Sequence, residues 1–279
     1  MVSILILTKN EEADLPGCLE SVRWSDDIHV FDSFSSDRTP EVARRFEVHI
    51  RQRVFDDYAT HRNAALQECA FRHRWVLMVD ADERIPAALA SEIAERLSDT
   101  GDGITAFRIR RRDYLMGTWL KHAQISPFYV RLVRPEKVHY ERAVNEVLMV
   151  DGQIADLQQP FEHFPFSKGM HHWIDKHNRY STMEAEQVIK ARRTVMGRGS
   201  LVKALMDSDF NVRRFHQKDL FYRMPCRPLL KFGYMMAVRR AFLDGQAGII
   251  YAVLQSIYEY FIVLKTKELE TTPLTSSGV

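Results

Sequence analysis

Residues Val2-Ser3-Ile4-Leu5-Ile6-Leu7-Thr8 form a nearly unbroken apolar run that stops at the polar cluster Lys9-Asn10-Glu11-Glu12. A half-exposed strand alternates apolar and polar side chains. A run that is apolar throughout reads as a strand covered on both faces, the situation in a parallel sheet flanked by helices. The pattern then recurs. Asp14 can cap a helix with Pro16 in its first turn, running to about Val22. Ile28 to Phe31 reads as a second strand, and Asp37 or Thr39 can start a helix at Pro40. Val48 to Arg51 reads as a third strand, Tyr58 to Glu68 as a helix, and Trp75 to Val79 as a fourth strand. Pro86 opens a helix whose Leu89, Ile93 and Leu97 recur at helical spacing. This rhythm predicts a doubly wound α/β sheet, in which ligands bind outside the carboxyl ends of the strands.

The polar residues of interest fall at those ends. Thr8 to Glu11 follow the first strand, Asp32 to Asp37 the second, and Asp80 to Glu83 the fourth. In Val79-Asp80-Ala81-Asp82-Glu83, two carboxylates at i and i+2 in a turn can converge on one hard cation. Mg²⁺ and Mn²⁺ take oxygen ligands and bridge to phosphate oxygens. An Asp-x-Asp pair alone is more often a solvated turn, so its place at the end of a buried strand carries the inference. Asp32, at a buried edge, can accept a hydrogen bond from a base N–H. Asp37 is at least as well explained as a helix cap, and Ser33, Ser35 and Ser36 as turn residues.

These motifs resemble family 2 glycosyltransferases with a GT-A fold. The resemblance rests on Ile4 to Glu12, Val30 to Thr39, His61-Arg62-Asn63-Ala64-Ala65-Leu66 and Val79 to Glu83. Val144 to Leu148, Glu162-His163-Phe164, Lys176 to Ser181 and Phe242-Leu243-Asp244-Gly245 extend it toward the lipopolysaccharide core glucosyltransferase branch. The resemblance implies a GT-A-like doubly wound mixed sheet with a C-terminal helical extension. It also implies roles. Thr8, Asn10, Glu11 and Asp32 would line the nucleotide pocket, with Asp32 facing the base. Arg62 would reach the nucleotide or its phosphates. Asp80 would hold sugar or ribose hydroxyls, Asp82 the metal (Mn²⁺ or Mg²⁺), and His163 would be a third metal ligand. Glu146 corresponds to the acidic catalytic base, with Glu141 as its nearest competitor. That branch usually has His before this Glu, where this chain has Asn145.

The implied reaction moves a hexose, glucose first, from a UDP-sugar to a lipid-linked or glycolipid acceptor. A nucleotidyltransferase would usually carry a Gly-rich basic loop after the first strand. Here the loop is Thr-Lys-Asn-Glu, which also lacks the Gly-x-Gly-x-x-Gly of dinucleotide enzymes. A non-catalytic scaffold that kept the fold is the remaining alternative.

Three domains are expected: a catalytic domain over 1–166, a helical extension over 167–270 and a tail over 271–279. The net charge of +2 hides an asymmetry, because residues 190–240 hold thirteen Lys/Arg against three Asp. Those cations interleave with aromatic and aliphatic residues, which fits a peripheral contact with an anionic membrane surface or with a second copy of the chain. No nucleic-acid module surrounds them. Gly248 to Leu264 is interrupted by Gln255 and Glu259 and reads as too broken to span a bilayer. The three scattered cysteines (Cys18, Cys69, Cys226) show no disulfide or zinc spacing. A cytoplasmic protein on the inner face of the membrane is expected.

Overall fold

A computed structural model describes residues 1–141, 146–193, 202, 206, 213, 217, 220–222, 224 and 226–271. Nearly half of the basic stretch, Asn145 and nearly all of the expected tail lie outside the described residues. Tertiary contacts divide the chain into two units: Met1–Lys121 with Ile125–Lys168, and His122–Gln124 with Gly169–Val279.

The first unit begins as the apolar rhythm predicts. Strand β1 (Ser3–Thr8) is followed by helix α1 (Leu15–Ser21), β2 (Ile28–Asp32), α2 (Thr39–Arg45), β3 (His49–Gln52), α3 (Tyr58–Glu68) and β4 (Val76–Asp80). These four strands are parallel neighbours in the order β3-β2-β1-β4. Next come β5 (Glu83–Arg84), α4 (Ala87–Ser98), β6 (Ile104–Leu115), β7 (Thr118–Trp119) and β8 (Phe128–Val133). Between Ile104 and Arg134 the sequence pattern indicates two strands; the short hairpin partner β7 adds a third. Strands β9 (Val138–Glu141), β10 (Val147–Val150), β11 (Gln153–Asp156) and β12 (Phe161–His163) complete the unit.

The sheet continues past β4 as β8-β6-β12-β5. Strand β8 is antiparallel to both β4 and β6, so the sheet is mixed. Each face has its own core. Ile4, Ile6, Val30, Leu77 and Val79 pack with α1 and α4 residues Leu15, Leu19, Leu89 and Ile93 on one side. Leu5, Phe31, Val76 and Met78 pack with Ala64, Ala65 and Leu66 of α3 on the other. Burial on both faces is what an uninterrupted apolar strand requires.

In the second unit, α5 (Gly169–Arg193) and α6 (Arg227–Gly233) pack against the long α7 (Gly245–Thr271). The sequence pattern carries the first C-terminal helix to Leu243. Instead, α6 continues as a π-turn over Tyr234–Val238, and Arg240 adopts a left-handed conformation with φ 56°. Asp244 is drawn out of the helix by other partners: its carboxylate accepts from the backbone N–H groups of His122 (2.9 Å) and Ala123 (2.7 Å) and from His122 Nδ1 (2.6 Å). The helical stretch Ala241–Thr271, which contains the interruptions Gln255 and Glu259, is long and apolar enough to cross a membrane by length and composition alone. Of the two interruptions, Glu259 is buried and forms an ion pair with Arg227 at 3.1 Å.

Gly248 follows from the same turn. A Cβ at this position would collide with the carbonyl oxygen of Ala241, a backbone atom that cannot move aside. Gly248→Ala should destabilise the helical unit by about 2 kcal/mol or more, read as a lower thermal midpoint, while Gly101→Ala, which meets nothing within 4 Å, serves as the neutral control.

Candidate active site

The register sets the frame. Thr8 pairs with Asp32, and Leu7 with Asp80, so the polar residues emerge together at the carboxyl ends of β1, β2 and β4. Neighbouring strands lie about 4.8 Å apart, which brings these side chains into one neighbourhood.

The loops after β1 and β2 are laced to each other. Asn10, with φ 56°, accepts through Oδ1 from the Ser36 N–H at 2.8 Å. Asn tolerates this left-handed conformation better than most residues. Its own N–H donates to Ser35 Oγ, the Glu11 N–H to Thr39 Oγ1, and the Glu12 N–H to Asp37 Oδ2. Asp37 also accepts from the Thr39 N–H, just ahead of α2, whose N-cap position is Arg38 and carries no side-chain cap bond. Asp14, at the N-cap of α1, likewise makes no cap bond and instead accepts from Ser167 Oγ at 2.8 Å.

Asp32 is fully buried. Its Oδ1 accepts from Thr8 Oγ1 (3.0 Å) and Ser35 Oγ (2.5 Å), and its Oδ2 from the Ser35 N–H and Gln52 Nε2 (both 2.9 Å). Nearby, Ser33 Oγ meets His61 Nε2 at 2.9 Å. Burial lowers the His61 pKa, keeping the ring neutral.

Asp80 lies among cations. Arg131 Nη2, from β8, donates to Asp80 Oδ2 at 2.8 Å and to Glu83 Oε1 at 2.6 Å. Arg62 Nη2 stands 3.8 Å from Asp80 Oδ1, and Arg62 Nε stands 3.4 Å from Glu146 Oε1. Burial would favour the neutral Asp80, but Arg131 and Arg62 outweigh it and hold the carboxyl well below the usual range. Glu83 goes the other way: burial raises its pKa, and Arg131 only partly offsets this. Arg62 also lies over the Tyr140 ring, 5.5 Å from its centroid. Asn63 fixes that strand by donating to the Tyr140 carbonyl (2.8 Å) and accepting from its N–H (2.7 Å). Glu141, the competitor of Glu146, is exposed and paired with His139 at 3.1 Å.

Asp82 and His163 form a third group. His163 Nε2 lies 3.2 Å from Asp82 Oδ2, and His163 Nδ1 lies 2.5 Å from Asp113 Oδ1. Register explains this: His163 is the in-line partner of Asp113 across the β6–β12 ladder, and the Phe164 N–H donates to the Asp82 carbonyl. Burial disfavours the charged ring, but the bonds to Asp113 and Asp82 outweigh it and raise the His163 pKa to about 9. The donor set fits a divalent cation: a carboxylate oxygen beside an imidazole nitrogen whose opposite nitrogen is anchored by a buried carboxylate. Asp113 was not visible in the sequence, because only the ladder brings it to His163.

Glu11 completes the surroundings. Its Oε1 accepts from Lys168 Nζ at 2.6 Å, while Oε2 is buried without a hydrogen-bond partner among the described residues. A cavity of about 320 Å³ adjoins this edge, lined by Arg84, Tyr114, Met116, Gly117, Phe164, Phe166 and Ser167. Of its lining residues, Phe164 directly follows His163 in the chain.

Residues 3–153 match the model of Glycosyl transferase family 2. The lipopolysaccharide core biosynthesis glycosyltransferase LpsC of Rhizobium meliloti is 30% identical over 200 residues, covering 68% of this chain and 72% of that protein. An uncharacterized glycosyltransferase of Rickettsia felis is 26% identical over 208 residues, covering 68% of this chain and 70% of its own length. The mannosyltransferase PcManGT of Pyrobaculum calidifontis, solved with GDP-Man and Mn²⁺, superposes with a TM-score of 0.54 at 17% identity, covering 95% of this chain and 86% of that one. This last likeness shows the shared GT-A-like fold. The chain belongs to glycosyl transferase family 2 and is a glycosyltransferase.

Burial raises the Glu11 pKa from 4.5 to about 7, against the opposing pull of Lys168. The folded protein therefore keeps a proton that the unfolded chain releases. That contribution to stability is complete below the unfolded value and is lost as pH rises through the folded one. Wild-type stability should fall across this window by up to about 3 kcal/mol, and Glu11→Gln should flatten the slope. Urea unfolding midpoints on both sides of the window check this.

Proposed function

We propose that the chain is an inverting, metal-dependent hexosyltransferase that takes its sugar, glucose first, from a UDP donor. The acceptor is a lipid-linked glycan or a lipopolysaccharide-core glycan. The observation that carries this reading is the division of the acidic groups: Asp82 pairs with His163, whereas Glu146 pairs with Arg62, which also approaches Asp80.

That separation suits a direct displacement. The base must reach the acceptor hydroxyl while the diphosphate leaves from the opposite face. Glu146 is the proton acceptor in this scheme. It is half-buried and close to Arg62, whereas Glu141 points to solvent with His139. Asp82 and His163 hold the divalent cation, which supplies charge stabilisation for the leaving diphosphate. Asp113 keeps the His163 ring oriented. Asp80, kept ionised by Arg131 and Arg62, accepts sugar or ribose hydroxyls. Thr8, Asn10, Glu11 and Asp32 border the nucleotide, with Asp32 toward the base and Arg62 toward the phosphates. The core-biosynthesis assignment of LpsC supports the acceptor class, and the Mn²⁺ in the PcManGT complex supports the cation.

Two substitutions separate these roles. Asp82→Asn should abolish Mn²⁺-dependent UDP binding, measured calorimetrically, and transfer with it. Glu146→Gln should leave UDP binding near wild type while lowering kcat by a factor on the order of 10²–10⁴. Near-wild-type turnover in Asp82→Asn would refute the metal assignment.

The helical unit supports placement at a membrane. Ile249, Val253, Ile257, Tyr260 and Leu264 form an exposed stripe along α7, and Leu229, Leu230 and Tyr234 are exposed at α6. Lys231, Arg239 and Arg240 lie close by in sequence. Such a face can sit at the headgroup boundary of an anionic bilayer on the cytoplasmic side. The protein should sediment with phosphatidylglycerol vesicles and not with phosphatidylcholine ones. A stable dimer that ignores both would assign the face to a second copy of the chain.

A further inference from the structure

The opposite, amino-terminal edge of the sheet carries a second cluster that takes no part in the chemistry above. Asp27 immediately precedes β2, and His29 lies two residues on, so their side chains leave the same face of the chain. His49 opens β3 and is the in-register partner of His29 across the parallel ladder. Among the described residues, these three are the group whose ligand atoms converge, all within 4.8 Å of one another. Along β2, Asp32 lies three residues beyond His29 and five beyond Asp27, a rise on the order of 10–17 Å.

The geometry is that of a coordination site. Asp27 Oδ1 stands 3.0 Å from His29 Nε2 and 3.7 Å from His49 Nε2. Ligands around a tetrahedral zinc, with bonds near 2.0–2.1 Å, stand about 3.4 Å apart, and the two observed separations bracket that value. The carboxylate is pre-set for this. Its other oxygen, Oδ2, accepts from Ser3 Oγ (2.5 Å) and the Arg72 N–H (2.8 Å), which turns Oδ1 toward the imidazoles. Outer contacts of this kind orient metal ligands. The Phe71 ring meets His29 edge-on at 5.0 Å and closes that side. The neighbouring charges are engaged elsewhere: Arg72 and His73 both bond to Asp26.

We propose that Asp27, His29 and His49 bind a zinc ion, with a fourth position left to water, and that the ion clamps β3 to β2. Two imidazoles with one carboxylate favour Zn²⁺ over Mg²⁺ and Mn²⁺. Among the described residues, strand β3 is the end strand of the sheet and pairs on one side only, so a metal cross-link there would reinforce an edge that backbone bonds leave half-satisfied.

The test is competition titration of the full chain with Zn²⁺ against a chromophoric chelator. It compares wild type, His49→Ala, His49→Gln and Asp82→Asn. His49 is 63% exposed, so its replacement leaves the core untouched, and equal thermal midpoints without metal verify this. Wild type and Asp82→Asn should bind Zn²⁺ equally at this site and gain thermal stability from it. Both His49 variants should bind at least tenfold more weakly and lose that gain, while retaining Mn²⁺-dependent sugar transfer. Co²⁺ in place of Zn²⁺ should give the visible absorption bands of a tetrahedral site in wild type and not in His49→Ala. Zinc affinity unchanged in His49→Ala, or Zn²⁺ binding that disappears in Asp82→Asn, would overturn the proposal.

Discussion

Asp80, Asp82 and Glu83 crowd three carboxylates onto one strand tip, and the guanidinium that makes this arrangement stable comes from Arg131. Like charges packed this closely in a buried setting would otherwise push one another toward protonation. Arg131 is itself 8% exposed, so its charge is tolerated only because two carboxylates receive it. Removing one partner from such a buried group typically costs about 3–5 kcal/mol. The result is an uneven sharing of protons: Asp80 stays ionised, and Glu83 is pushed toward its neutral form. The antiparallel strand β8 is therefore more than an extension of the sheet. Pairing directly with β4, it delivers the cation to the place where the acidic motif ends.

A second constraint is the lacing of the loops after β1 and β2. Much of the dense polarity of those loops is consumed internally. Asn10, Ser35, Thr39 and Asp37 bond to backbone groups of the opposite loop or of their own. Asp32 already receives four donors. A base N–H approaching it would have to replace Ser35 or Gln52. Glu11 differs, because among the described residues Oε2 is buried without a hydrogen bond and so has an acceptor to offer. These loops are a rigid rim whose shape is set before any ligand arrives, which favours binding by limiting the ordering cost.

Several groups that organise the site were invisible in the linear chain. Asp113 stands in a strand rich in cations and Arg131 in a short strand of aromatic and aliphatic residues, and nothing in their local sequence singles them out. Lys168 falls in the helical extension expected from the sequence, yet its ammonium sits on Glu11. Asp14 looked like a helix cap and serves Ser167 instead. In each case a partner more than fifty residues away, or a ladder register, decided the role. Trp173 and His177 of α5 stack on each other at 3.6 Å, whereas the convergent triad among the described residues lies at Asp27, His29 and His49, where no sequence spacing announces it.

The sequence by itself determined the α/β class, the parallel strands β1 to β4 and the polar clusters at their carboxyl ends. It could do so because side-chain burial on both faces imposes a local, readable apolar pattern on each strand, and the clusters follow directly after it. Only the tertiary structure decided that β8 reverses direction beside β4, that His163 lands opposite Asp113, and that Arg62 stands between Asp80 and Glu146. Those outcomes depend on strand order and register, which arise from packing between segments far apart in the chain and leave no periodic trace within either one.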